Sequence, residues 1–92
     1  MPRVTWSRRS RADLVELRRF YKNSNKAKAI AGRLFGIAEH LEVHPELGRA
    51  GVVPGTRELV VGGTPYILIY AVSDDHKDVV VLSVVDGRRD WK

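Results

Sequence analysis

The chain of 92 residues has no cysteine and one methionine. Without a thiol it can form no disulfide, offer no thiolate nucleophile and build no zinc site on sulfur. That composition suits a reducing compartment. No apolar run approaches the length needed to cross a bilayer; the longest, from about Val79 to Val85, is strand-sized. The opening Met-Pro-Arg-Val-Thr-Trp lacks the apolar stretch and small-residue cleavage site of a secretory leader, so a cytoplasmic protein without a membrane partner is expected. Also missing are a Gly-x-Ser-x-Gly elbow, a phosphate-binding loop and a dinucleotide fingerprint. His40 and His44 stand four apart, but Leu41 rather than Glu follows the first and no third ligand is evident. They read as surface histidines near a helix end, and no metal, cofactor or catalytic residue is expected.

What is abundant is positive charge in one place. The net charge is +5. Residues 1 to 33 hold ten Lys or Arg against Asp13 and Glu16, whereas residues 34 to 92 hold six basic and nine acidic residues. The first third is therefore suited to an acidic partner, either nucleic acid or an acidic polypeptide, or it is a solvated face that keeps the protein soluble.

Length sets one domain, 1–92. Arg3 to Trp6 alternates as a short strand. A helix follows, capped by Ser7, or by Ser10 with Asp13 as a capping box; Leu14, Leu17 and Tyr21 share its apolar face. Arg8, Arg9 and Arg11 crowd its N-terminal end, where positive charge opposes the helix dipole. Asn23-Ser24-Asn25 marks a turn, and from Lys26 to about His44 the series Ala27, Ile30, Ala31, Leu34, Ile37, Ala38 and Leu41 predicts a second amphipathic helix. Gly32 and Gly36 lie one turn apart in it, each costing about 1 kcal/mol relative to alanine. Close packing within an antiparallel helical hairpin is the expected reason, and a partner's helix the alternative.

Pro45 to Thr56, with two prolines and three glycines, reads as a surface loop. Three strands follow, Arg57–Val61, Pro65–Ser73 and Asp78–Val85, joined by the turns Gly62-Gly63-Thr64 and Asp74 to Lys77. The fold class is α+β: a short N-terminal strand, an antiparallel helical hairpin and a three-stranded antiparallel meander (β-α-α-β-β-β), with the helices packed on one face of the sheet.

Alternation sets Tyr66, Leu68, Tyr70 and Val72 against Ile67, Ile69 and Ala71. The last strand divides likewise, with Val79, Val81 and Val85 opposing Val80, Leu82 and Val84. Strands apolar on both faces belong in sheets covered on both sides, and a two-helix hairpin covers one. A partner polypeptide, or the long loop, is expected over the other. At the end of the chain, Asp86-Gly87-Arg88-Arg89-Asp90-Trp91 sets two guanidinium groups beside an indole, suited to phosphate, a base or a protein surface, or else a polar tail with Trp91 tucked against the helices. Arg57 joins this end if the strands pair in order.

Pro45-Glu46-Leu47-Gly48-Arg49, Pro54-Gly55-Thr56-Arg57-Glu58-Leu59, Pro65-Tyr66-Ile67-Leu68-Ile69-Tyr70 and Gly87-Arg88-Arg89-Asp90-Trp91, in that order behind two helices, resemble the successive signatures of the ParE/RelE toxin superfamily. The resemblance covers nearly the whole chain. It implies a toxin neutralised by a co-expressed, ParD-like antitoxin, with a ribbon-helix-helix half that binds operator DNA and a tail that wraps the toxin. RelE-like members cut messenger RNA on the ribosome; ParE-like members poison DNA gyrase without doing chemistry themselves. Ile67 stands where RelE-like members usually carry Arg, Trp91 where they carry a terminal acid/base, and Asp86 where a His often precedes the arginine pair, with carboxylate expected to repel phosphate. No lysine lies between Lys28 and Lys77. An indole exchanges no proton near neutral pH. A gyrase poison is therefore expected, with a messenger-RNA endonuclease or an inactive regulatory module as alternatives. Target contact is expected at Arg57, Arg88, Arg89 and Trp91, and antitoxin contact at Tyr66, Leu68, Tyr70, Ile67, Ile69, Arg8, Arg9 and Arg11.

Overall fold

The computed structural model describes residues 3–89. Its elements are β1 (Arg3–Trp6), α1 (Arg8–Phe20), α2 (Ser24–His40), β2 (Arg49–Ala50), β3 (Thr56–Val60), β4 (Tyr66–Val72) and β5 (Asp78–Asp86). The meander β3-β4-β5 is antiparallel and β1 lies parallel to β5 at its outer side, while the helical hairpin carries the chain from β1 to β2 and β3 at the opposite edge of the sheet. The sheet is thus mixed, with five strands in the order β1-β5-β4-β3-β2. β2 is an addition to the expected elements: part of the loop after Pro45 pairs Arg49 with Glu58 and Ala50 with Arg57.

Strands β3, β4 and β5 differ from the expected bounds by one residue, and both ends of α2 differ by more. α2 begins at Ser24 because the Asn23 side chain accepts from the backbone N–H groups of Asn25 and Lys26, so this Asn caps a helix rather than only turning the chain. It ends at His40, and residues 41–43 continue as a turn. Of the two possible caps for α1, Ser7 serves: its hydroxyl accepts from Ser10 N at 3.1 Å and donates to Leu82 O at 2.9 Å. Ser10 is fully buried and donates back to Ser7 O.

Asp13 is therefore free of the capping box and reaches across to β5, where its carboxylate accepts from Ser83 Oγ at 3.0 Å and Val84 N at 2.9 Å. β1 covers β5 only as far as Val81. Beyond it, side chains of Ser7 and Asp13 take the place of a strand neighbour for Leu82 and Val84, since edge groups near a packed helix need partners.

The core lies between the hairpin and the sheet. Leu17, Ile30, Leu34 and Ala38 pack on Tyr66, Leu68, Val81 and Val84, and a second cluster joins Leu41, Tyr70 and Val79. The expected parity of β5 fails at one point. Ile69 pairs with Ser83 but Tyr70 with Val81, so a bulge at Leu82 inserts one residue. Val84 is thereby turned into the core and Val85 to the outer face, the reverse of simple alternation. The glycine expectation also fails. A Cβ on Gly32 or Gly36 would meet nothing within 4 Å, so neither serves packing within the hairpin.

Replacing Asp13 by Ala should lower unfolding stability by about 1.5–3 kcal/mol, the worth of hydrogen bonds to a charged, largely buried acceptor, and speed amide exchange at Val84. Urea denaturation of the two proteins measures this, and a difference below about 0.5 kcal/mol would remove Asp13 from this role.

Candidate functional site

Three features of the surface bear on function: the terminal turn after β5, the outer face of the sheet, and the arginines of α1. In the turn, Gly87 N donates to Pro65 O at 2.8 Å and Arg89 N to Asp86 O at 3.1 Å. A Cβ on Gly87 would lie 3.0 Å from Ile67 Cδ1, so this turn closes over Ile67 and buries it. Asp86 Oδ1 accepts from Arg88 N at 2.9 Å and Nε at 3.0 Å, and Oδ2 accepts from Nη2 at 2.8 Å. These bonds hold the Asp86 carboxyl down at about 2. Asp86 is thus a tether for Arg88, which corrects the picture of a lone carboxylate repelling phosphate. The pair leaves Arg89 to face an open cavity of about 290 Å³ lined with Glu16, Phe20, Tyr66 and Asp86.

Burial first, then a hydrogen bond with Tyr21, pushes the Tyr66 phenol well above its ordinary range. Tyr70 is pushed up by burial as well; its hydroxyl donates to Pro45 O and accepts from Gly48 N, both at 2.8 Å. Neither phenol is poised to give up its proton near neutral pH.

Arg57 does not join this end. It pairs with Tyr70, whereas Asp86 pairs with Tyr66, four residues or about 13 Å along the strand. Its guanidinium donates to Gly48 O at 2.8 Å and ties down the loop. Trp91 lies outside the described residues.

Of the residues expected at the antitoxin contact, Tyr66, Leu68 and Tyr70 are buried beneath the helices. Ile67 and Ile69 lie on the outer face, Ile67 beneath the Gly87 turn and Ile69 beside Val52 and Val53 of the loop after β2. Glu58, only 4% exposed, pins that loop. Its Oε1 accepts from Arg49 Nε and Nη2 at 3.2 and 3.1 Å, and Oε2 from Val52 N at 3.3 Å. A cleft of about 340 Å³ remains between Val52 and Val53 on one side and Ile69, Leu82 and Val85 on the other, with Arg9 at its border. Val52 and Val53 are each 62% exposed. Arg8 and Arg11 stand away from this cleft on the exposed surface of α1. Sequence reasoning passed over Glu58 because a charged residue in a strand carries no sign that a loop will fold onto it.

The family model described as "ParE toxin of type II toxin-antitoxin system, parDE" matches residues 4–91. The protein named "Putative toxin Y4kP" of Sinorhizobium fredii is 30% identical over 91 residues, covering 97% of this chain and 92% of that one. Among solved structures, the chain is similar to one from the chromosomal ParDE system of P. aeruginosa, with TM-score 0.81, 23% identity and coverage of 94% and 96%. It is also similar to one from the RelBE2 toxin–antitoxin complex of Mycobacterium tuberculosis, with TM-score 0.63, 24% identity and coverage of 94% and 99%. The isolated E. coli RelE toxin gives TM-score 0.59, 19% identity and coverage of 99% and 89%. These three likenesses establish the α+β fold of two helices on a mixed five-stranded sheet.

The Asp86 tether predicts an acid limb. Its folded value is depressed, so the fork is complete above the ordinary carboxylate range and is lost as pH falls through about 2. Following the Asp86 carboxyl carbon by NMR should give a midpoint near 2, and a midpoint near 4, the ordinary value, would show that Arg88 is not held.

Proposed function

The chain belongs to the ParE toxin family of type II toxin–antitoxin systems, and from that premise we propose that a cognate ParD-like antitoxin holds it inactive and that the released toxin arrests growth by binding DNA gyrase. The observation that carries the choice of gyrase is the construction of the terminal turn. Asp86 neutralises the exposed Arg88 and Ile67 lies buried beneath Gly87, so the end of β5 offers one paired guanidinium, one without an ion pair among the described residues, and aromatic surface, rather than a clamp for a phosphodiester. Arg88, Arg89 and Trp91 form the contact with the target in this reading. Poisoning by binding asks for shape and charge and needs no group to move a proton. The two raised phenols fit that requirement and fit general-base chemistry poorly.

The antitoxin covers the outer face of the sheet at Ile69, Leu82 and Val85, beside Val52 and Val53 and with Arg9 at the rim. Exposed apolar surface of this kind is suited to a protein partner. Operator DNA is reached through the antitoxin's ribbon-helix-helix half and not by the toxin directly.

Two assays on one preparation test the reading. Gyrase supercoiling should be inhibited and cleaved DNA trapped, while ribosome-bound messenger RNA stays intact. Codon-phased RNA cuts with normal supercoiling would replace gyrase poisoning with endonuclease action. Inactivity in both, with antitoxin binding preserved, would favour a regulatory module.

A further inference from the structure

The helical hairpin carries positive charge that the fold does not use. Arg8, Arg11, Val15 and Arg18 fall at spacings of three, seven and ten residues along α1 and so share one line of its surface. Lys28 of α2 borders the same inter-helix groove as Arg18. All four cations are exposed, and among the described residues none of them makes an ion pair. Asp13 and Glu16 are the only acids before Glu39. Asp13 is turned to β5 and Glu16 is paired with Arg19, so no carboxylate interrupts the row. Arg8 and Arg11 stand at the start of α1, where positive charge opposes the helix dipole. The fold gains nothing from them, which points to an anionic partner outside the chain.

Two classes of partner carry the required charge. A peptide seated in the groove between the helices would meet Arg18 and Lys28, but Arg8 and Arg11 stand outside that groove and would be left unused. A duplex lying across the hairpin spans all four. From Arg8 to Arg18 the row runs about 15 Å, a length over which one DNA strand carries about four phosphates. Phosphates are met by exposed guanidinium and ammonium groups and ask for no pocket. Val15 and Phe35, 51% and 45% exposed beside the row, are then set against sugar rather than water.

We propose that this face of the hairpin is a sequence-independent contact for the phosphate backbone of duplex DNA, made by Arg8, Arg11, Arg18 and Lys28. It rests on the gyrase reading above, which brings the toxin to an enzyme that works on DNA, and goes beyond it, because the toxin grips the duplex as well as the enzyme. Phosphate contacts carry no sequence information, so the choice of operator stays with the antitoxin.

Titrating a short labelled duplex of arbitrary sequence with the full-length toxin alone, at two salt concentrations, reads the contact without gyrase. The parent should bind, and weaken steeply as salt rises. R8Q/R11Q/R18Q/K28Q should bind about tenfold or more weakly, and the slope of log affinity against log salt should flatten by about 0.9 for each cation removed. Gly32→Glu sets a carboxylate one turn beyond Lys28, where a Cβ meets nothing within 4 Å. Its melting temperature should equal or exceed the parent's while duplex affinity falls about threefold or more. R3Q/K77Q, at the start of β1 and off the hairpin, should bind like the parent, and a loss there equal to that of the hairpin variant would show charge without a site and overturn the contact. A parent that leaves the duplex free at low salt, or a hairpin variant within about threefold of it, would overturn the contact as well. So would a hairpin variant that keeps the duplex but loses the protein encoded beside the toxin, which would assign the row to an acidic polypeptide. On gyrase, the hairpin variant should need about tenfold more protein to trap the same amount of cleaved DNA. Undiminished trapping by a variant that no longer binds the duplex would overturn the role on the enzyme. A parent that binds the duplex through these residues yet leaves supercoiling normal would overturn the gyrase reading and leave the DNA contact standing.

Discussion

The structure depends on how α1 completes the edge of β5. β5 has nine residues and its parallel neighbour β1 only four, so beyond Val81 the strand has β4 on one side and no strand on the other. Asp13 and Ser7 fill that gap with side-chain bonds to Val84, Ser83 and Leu82. Unpaired backbone at a packed boundary is expensive, so these bonds fix the height and rotation of α1 against the sheet. The rotation decides the surface. With Asp13 turned inward and Leu17 in the core, Arg8, Arg11 and Arg18 can only face outward along the hairpin.

Two more carboxylates repeat the device. Glu58 draws Arg49 and the Val52 amide onto the outer face of the sheet, and Asp86 draws Arg88 into the terminal turn. Each acid ties down a segment that carries apolar or aromatic surface, and each consumes charge where it does so. Among the described residues, the cations left without an ion pair include Arg8, Arg11 and Arg18 on α1 and Lys26, Lys28 and Arg33 on α2. A protein that is positive along its helical hairpin, apolar in a cleft on the outer face of the sheet and aromatic at one end is laid out for contact with other macromolecules. The proposed binding role follows from that distribution and from the family together.

Much of this was legible in the residues. The helical periodicity gave both helices, and the alternation of Tyr66, Leu68 and Tyr70 put them on one face. Which face they occupied was not legible, because period-two patterning in a strand apolar on both sides does not say where the helices lie. The structure buries all three, and the surface left for a partner is Ile69 with its β5 neighbours. The exchange of Val84 and Val85 follows from a bulge, which leaves no mark in local composition. Asp13 misled in another way. Its spacing from Ser10 matches a capping box, but the fully buried Ser10 and the nearby edge of β5 offered it stronger partners. The placement of Arg57 depended on strand register, which set it four residues along the sheet from the arginine pair. The four segments resembling ParE signatures were the most informative feature, since their order survives where local detail does not.

The central claim is that the surface acting on the target is distinct from the surfaces held by the antitoxin. The most direct test is R88E/R89E, measured in parallel for growth arrest and for affinity to the antitoxin. The account predicts that arrest is abolished while antitoxin affinity stays within about threefold of the parent. Arrest that persists, or arrest and antitoxin affinity lost together, would contradict it.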